Sequence, residues 1–346
     1  MTEVGKVTVR AEIDSSKVAG QLGSLKGQVS SAAGEMESSF SKLGGALKTG
    51  LLAAGAGAAG LATTGLVSYK NLEEAASHAA SKAVDVYGKS ATEISAQYDV
   101  LLKHVQDVSS EVGAATVFSD VEVAKTFDAL AAGGVNIAKV GRNELVPFMN
   151  LASATGEQLT DVTDLLTGSM SSFGYGMEDS AVIADQLAMA MNGSKASMGT
   201  LNFALRQGGS AASATGMELS EFSAIVGVLA DKNYTGEQSG AALKTAMLAL
   251  YNPTKVQAET LEKLGITYDQ VDPRANDFRD TLSLLLSKGA DIGDFGQIFT
   301  DSSGSIMHAL AGESSAVDSL LQKIEGSSGL SQVQADLMMR TDKLVG

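Results

Sequence analysis

Gly55, Gly57 and Gly60 stand in the order GxGxxG, the spacing that lets a backbone close around a dinucleotide pyrophosphate at the start of a helix. That loop works only behind a β-strand. The residues in front of it are Leu51-Leu52-Ala53-Ala54, with no β-branched run, so no cofactor is expected there. A second candidate, Asp231-Lys232-Asn233-Tyr234-Thr235-Gly236, is similar to the front half of a calcium loop. Its twelfth position must supply a bidentate glutamate and is Ala242, so the stretch reads better as a glycine-supported turn between helices.

The remaining reactive residue types do not combine. His78, His104 and His308 lie far apart in sequence, and none has the three-to-five-residue spacing of a metal pair; each reads as a surface or partly buried polar residue. Cysteine is absent, which removes disulfides, thiolate metal sites and cysteine nucleophiles together. Serines are plentiful, yet no GxSxG elbow surrounds one. Glu73 and Glu74 are adjacent and point in different directions, so they make no acid/base pair and belong to a solvated helix face with Asp85 and Lys89. The sequence therefore points to no catalytic residue, no metal and no cofactor, and to a protein that is not an enzyme.

Charge narrows the partners. The 346 residues carry a net charge of −15 with 44% hydrophobic residues, and no run of Lys and Arg exceeds two. A sequence-independent grip on nucleic acid needs a basic stripe, so no specific nucleic-acid binding is expected, and an acidic surface would repel DNA passing nearby. Met1-Thr2-Glu3-Val4-Gly5-Lys6 lacks the basic-then-apolar layout of a signal peptide, which implies synthesis in the cytoplasm.

The elements that would position these residues are mostly helices. Lys6 to Ile13 alternates apolar and polar residues and predicts one short strand, followed by a helix cap at Asp14-Ser15-Ser16. Val18, Leu22, Leu25, Val29, Ala32, Met36 and Phe40 then form a narrow stripe suited to an assembly helix or coiled-coil seam. The uncharged stretch from Thr49 to Tyr69 would span about 31 Å as a helix, close to the roughly 30 Å core of a bilayer. Its strongly apolar residues, Leu51, Leu52, Leu61, Leu66 and Val67, supply only about 1.5 to 3 kcal/mol of insertion energy. Ala53/Gly57, Gly55/Ala59 and Ala56/Gly60 repeat small residues every four positions, the pattern of close helix packing. Gly55, Gly57, Gly60, Leu61 and Leu66 thus mark a packing segment or a membrane-competent one.

Residues 71–112 predict one amphipathic helix. Beyond it, helix starts are expected at Ser119-Asp120, Thr155-Gly156, Asp179-Ser180, Met198-Gly199-Thr200 and Glu218 to Glu221. Stops are expected at Gly133-Gly134, Gly174, Gly193, Gly216 and Gly236. The expected fold is an all-α, multi-helix bundle with one short N-terminal strand and a Gly/Ala-rich helix. Its expected divisions are residues 1–48, strand plus assembly helix; 49–70, the Gly/Ala-rich helix; 71–112, the amphipathic helix; 113–325, the helical core; and 326–346, the start of an extended and exposed C-terminal helix.

An ordered series of short motifs within that core resembles bacteriophage tail tape measure proteins. It begins with Leu130-Ala131-Ala132-Gly133-Gly134 and Ala152 to Leu165, then Phe173-Gly174 and Ala184-Asp185-Gln186-Leu187-Ala188. It continues through the turn at Asn192 to Ser194, Gly216 with Leu219, Gly227 to Ala230, and Gly236 to Leu243, and closes on Leu264-Gly265-Ile266. The resemblance covers roughly Ser95 to Leu321 and is most distinctive at Gly216, Gly227, Gly236, Gly240 and Leu243.

The resemblance implies a structural role inside a growing tail tube: scaffolding tube assembly, setting tail length, and leaving at DNA ejection. Implied partners are further copies of the chain, the tail tube protein, tail assembly chaperones, tail tip or baseplate proteins, and the host membrane through residues 49–70. One departure stands out, because the chain would reach only about 520 Å even if helical throughout. The expectation is then the N-terminal part of a longer product or a shortened member. The competing expectation is a stand-alone, pore-forming helical protein that uses the same apolar segment.

Overall fold

Capping residues cut this chain into short helices. The computed structural model describes residues 70–345, so the readings made on residues 1–69 lie outside the described residues, among them the strand, the coiled-coil stripe and the segment with Gly55, Gly57, Gly60, Leu61 and Leu66. Within the described residues the chain is helical and contains no β-strand. None of the described helices is long and apolar enough to cross a membrane.

The single helix expected over residues 71–112 is instead two. Helix α1 covers residues 70–83, and α2 covers Ala91–Ala115. Between them Gly88 takes the left-handed backbone, and Ser90 restarts the helix through a capping box: its hydroxyl accepts from Glu93 N, and the Glu93 carboxylate accepts from Ser90 N at 2.8 Å. Ser77 Oγ and Tyr98 Oη meet at 2.8 Å across the turn. Asp85 and Lys89, expected on a helix face, pair in the connecting turn at 3.0 Å. The apolar period ran through the break because both helices turn their apolar faces to one core, through Leu72, Ala76, Ala79 and Ala80 in α1 and Leu101, Val105 and Val112 in α2.

Helices α3 (Asp120–Ala132), α4 (Arg142–Thr155), α5 (Leu159–Phe173) and α6 (Ser180–Asn192) follow. The start at Ser119 holds, again by a capping box, with Glu122. Gly156, read as part of a helix start, is the left-handed end of α4, and α5 begins at Leu159. Next come α7 (Met198–Ala204), a π-turn (Leu205–Gly209) and α8 (Ser210–Ala214). Helices α9 (Leu219–Asp231), α10 (Gly236–Tyr251), α11 (Lys255–Lys263) and α12 (Phe278–Ser287) lead to α13 (Ile292–Phe299), α14 (Asp301–Ala311), α15 (Ser314–Glu325) and α16 (Leu330–Val345).

The core centres on α9, where Phe222, Ile225, Val226 and Leu229 are fully buried; each contributes roughly 1.5 to 3 kcal/mol of transfer free energy. Around α9 pack α6, α10 and α15, and Phe173 at the end of α5 meets Phe222 edge to face at 5.7 Å. On its other side α10 packs against α7, the π-turn and α14.

The turn between α13 and α14 is strained. Thr300 alone links the two helices, with φ 71° and ψ 154°, a region that β-branched residues avoid. Such backbone stores on the order of 1 to 3 kcal/mol, and glycine relieves it at about 0.5 to 1 kcal/mol of unfolded-chain entropy. Thr300 is exposed, so little packing is lost on its replacement. Thr300→Gly is therefore expected to stabilise the chain by about 1 kcal/mol, raising the thermal midpoint by roughly 2 to 4 °C. A lower midpoint would show that the turn is not strained.

Candidate functional site

Of the residues singled out from sequence, Gly227, Gly236 and Gly240 lie at helix crossings. On α10, Gly236 and Gly240 lie one turn apart and face Thr200 and Ala204 of α7. A β-carbon on Gly236 would stand 2.1 Å from the Thr200 carbonyl oxygen, and one on Gly240 would stand 2.4 Å from that of Ala204. Backbone rests on backbone here, a distance only glycine permits. The π-turn extends the seam: a β-carbon on Gly208 would meet the Gly240 carbonyl at 2.6 Å, while one on Gly209 would touch Ser172 of α5 at 3.2 Å. Two successive glycines thus fill the space between α10 and α5, and the wider π-turn gives them that spread.

The expectation that Gly236 stops a helix is corrected, because it opens α10. Thr235 closes a capping box with Gln238, so the helix must begin at Gly236. Asn233 supplies the left-handed backbone of the preceding turn at φ 67°, and the Asp231 carboxylate accepts from Lys195 N at 2.7 Å. That geometry accounts for the calcium-like residues as a turn.

Gly227 does a different job. With Gly193 it forms a notch for Leu320 of α15: β-carbons there would stand 2.7 Å and 2.5 Å from the two Leu320 methyls. Leu320 is buried in this notch. Gly216 adopts φ 87° with open space around it and serves the turn from α8 into α9, while Leu243 is a fully buried core residue of α10. The five residues are therefore not one pocket; they are the crossing, the socket, the turn and the packing of one core.

Sequence reasoning missed the seat of the C-terminal helix. Asp185 of α6 is buried, and its carboxylate accepts from Gly329 N at 2.6 Å, Ser331 N at 2.8 Å and Ser331 Oγ at 2.6 Å. An aspartate from one helix thus caps the N-terminus of another, satisfying donors that would otherwise lack partners and placing negative charge at the positive end of α16. Beside it, Asn150 of α4 donates to Gln332 Oε1 at 2.8 Å. The expected exposed helix is consequently docked at its start, with Ser331 and Ala335 buried, because α16 packs along α4. Its outer face keeps Val333, Leu337 and Met338 exposed.

The histidines remain separate. His104 bonds the Val140 carbonyl at 3.0 Å and meets Phe127 edge to face, His308 meets Phe295 at 5.1 Å, and His78 is exposed. Among the described residues no group of three or more His, Asp or Glu is placed to hold a metal ion. An open groove of about 760 Å³ runs past the π-turn, bordered by Lys139, Glu144, Asp164, Tyr175 and Arg206.

A family model described as phage-related minor tail protein matches residues 106–312, from within α2 to the end of α14. The tape measure protein of Pneumococcus phage Dp-1 is 24% identical over 182 residues, 53% of this chain and 16% of that protein. The probable tape measure protein of Escherichia phage P2 is 30% identical over 118 residues, 34% of this chain and 14% of that protein. The matched stretches thus make up about a sixth of the length of these relatives. No solved structure matches the chain.

Proposed function

Because the chain belongs to the phage-related minor tail protein family, we propose that it supplies the folded core of a tape measure protein, which scaffolds tail tube assembly and sets tail length from inside the tube. The observation that carries this reading is the extent of the family match, residues 106–312, which coincides with the glycine-packed helices that build the seat of α16. A length gauge needs a rigid start and an extended part whose reach scales with residue number, at about 1.5 Å per helical residue. The bundle is the rigid start, and Asp185 and Asn150 fix the orientation of α16 on it.

In this reading the chain acts in the virion tail, in the tube lumen, after synthesis in the host cytoplasm. It assembles with further copies of itself, partly through coiled-coil packing, and with the tail tube protein, tail assembly chaperones and tail tip or baseplate proteins. At infection it leaves before or with the DNA, and residues 49–70 meet the host membrane. The net charge of −15 fits a lumen later shared with DNA, which an acidic chain does not hold.

Electron microscopy of particles made without this gene tests the proposal. Absent tails, or tubes of scattered length, are the expected result. Tails of normal and uniform length would sink it.

A further inference from the structure

Away from the glycine seam, three carboxylates share one guanidinium. Arg279, near the start of α12, donates through Nε to Glu221 of α9 at 3.2 Å, through Nη2 to Asp277 at 2.9 Å, and through Nη1 to Asp318 of α15 at 2.5 Å. Asp277 is also the N-cap of α12, accepting from Arg279 N at 2.8 Å. Three elements are tied at one point, and with every acid ionised the cluster carries two surplus negative charges. Their surroundings differ: the Glu221 side chain is 14% exposed, and that of Asp318 is 63% exposed.

The groups facing Glu221 can be followed element by element. At the N-cap of α9 the next carboxylate is Glu218, one turn back; from the start of α12 come Asp277 and Arg279; and Asp318 of α15 sits beyond the guanidinium. Met247 of α10 and Arg274 line the same cavity of about 230 Å³ as Glu221, and Arg274 is already bound by Asp272 at 2.6 Å. On α6, Asp185 is engaged by Gly329 and Ser331, and on α14, His308 lies against Phe295. Arg206, in the π-turn that follows α7, is exposed. Among the described residues, Arg279 is the cation that acts on Glu221.

We propose that this junction is a proton-operated clasp: with Glu221 protonated, Arg279 serves Asp277 and Asp318 and holds the start of α12 to α9 and α15, and loss of that proton loosens the joint. A protonated Glu221 still accepts the Arg279 Nε–H through its carbonyl oxygen, so the hydrogen bond survives while the surplus charge falls by one. Asp277 takes the anionic role: burial works to raise its carboxyl, but bonds from the Arg279 side chain and backbone outweigh this and hold it below the usual carboxylate range. Burial, then the neighbouring Asp277, push Glu221 up to about 7 against the pull of Arg279. The folded state therefore holds this proton more tightly than the unfolded chain does. The stabilisation is complete below the ordinary value of 4.5 and is lost as pH rises through about 7.

Hydrogen exchange of the full chain, corrected for base-catalysed intrinsic rates, reads the clasp at residues 278–287. Between pH 6 and pH 8 the opening equilibrium of this segment is expected to rise about ten-fold in the wild type. In Glu221→Gln, which carries no titrating proton, it should stay level. Asp318→Asn, on the exposed side of the guanidinium, frees Arg279 for Glu221 and should move the rise to lower pH. Protection of residues 278–287 that is level in the wild type, a rise that persists in Glu221→Gln, or one that Asp318→Asn leaves in place would each overturn the proposal.

Discussion

Replacing Gly240 with alanine is expected to lower the unfolding free energy by on the order of 3 kcal/mol, the upper range for forcing an extra methyl into a packed site. Intrinsic propensity works the other way, since alanine favours a helix interior over glycine by about 1 kcal/mol. The sign therefore depends on what the new β-carbon meets. It would stand 2.4 Å from the Ala204 oxygen and 2.8 Å from the Ala204 Cα, both backbone atoms of α7 that no side-chain rotation can move. Relief requires α7 and α10 to separate, which opens the packing of buried Leu201, Ala204, Leu243 and Ala246 along the same crossing. Gly168 of α5 is the internal control, because a β-carbon there meets nothing within 4 Å. Gly168→Ala should stabilise the chain by about 0.5 to 1 kcal/mol. Gly227→Ala falls between them, since its methyl meets the movable end of Leu320. Urea midpoints of the three variants give the order directly. If Gly240→Ala proved as stable as Gly168→Ala, the backbone-on-backbone crossing would have to be abandoned.

That contrast also marks how far the sequence could be read. Helix starts were legible where the signal is local: the start expected at Ser119-Asp120 is the one the structure uses, with Glu122 closing a capping box. Ser90 with Glu93 is an equally local capping box, but the apolar period ran past it and concealed the break between α1 and α2. Gly236 was legible as a motif and misread as a stop, because glycine is common after helices and Thr235 with Gln238 was the stronger neighbouring signal. Why Gly240 must be glycine was not legible, since its reason is the Ala204 carbonyl on another helix. Nor could the π-turn be foreseen from Leu205 to Gly209, whose glycines read equally well as a helix end. The charge cluster at Arg279 joins residues from three separate helical segments and has no signature in any one of them.

Asp185→Ala should release α16 from the bundle while leaving most of the core folded. The carboxylate accepts three hydrogen bonds from Gly329 and Ser331, residues 144 and 146 positions away, so its role arises only in the folded chain. Removing it strands the backbone donor of buried Ser331 and leaves that of exposed Gly329 to water, and hydrogen bonds to a charged group contribute about 1.5 to 3 kcal/mol each. A loss on the order of 3 kcal/mol is expected, concentrated at residues 329–338, because α9 and α10 do not depend on this contact. The chain contains no cysteine, so Ala335→Cys, buried against α4, provides a single thiol that labels only when α16 lifts. Labelling should accelerate about 100-fold in the Asp185→Ala background, the rate equivalent of roughly 3 kcal/mol, while the urea midpoint of the bundle moves little. Asp185→Asn keeps one carbonyl acceptor, for either Gly329 or Ser331, and sets an amide N–H against the donor of the other, and it should fall between wild type and alanine. Equal labelling in all three would mean that α4 alone seats α16, through Asn150 and apolar packing. The orientation of the helix on the bundle would then rest on side-chain packing, not on a buried charge.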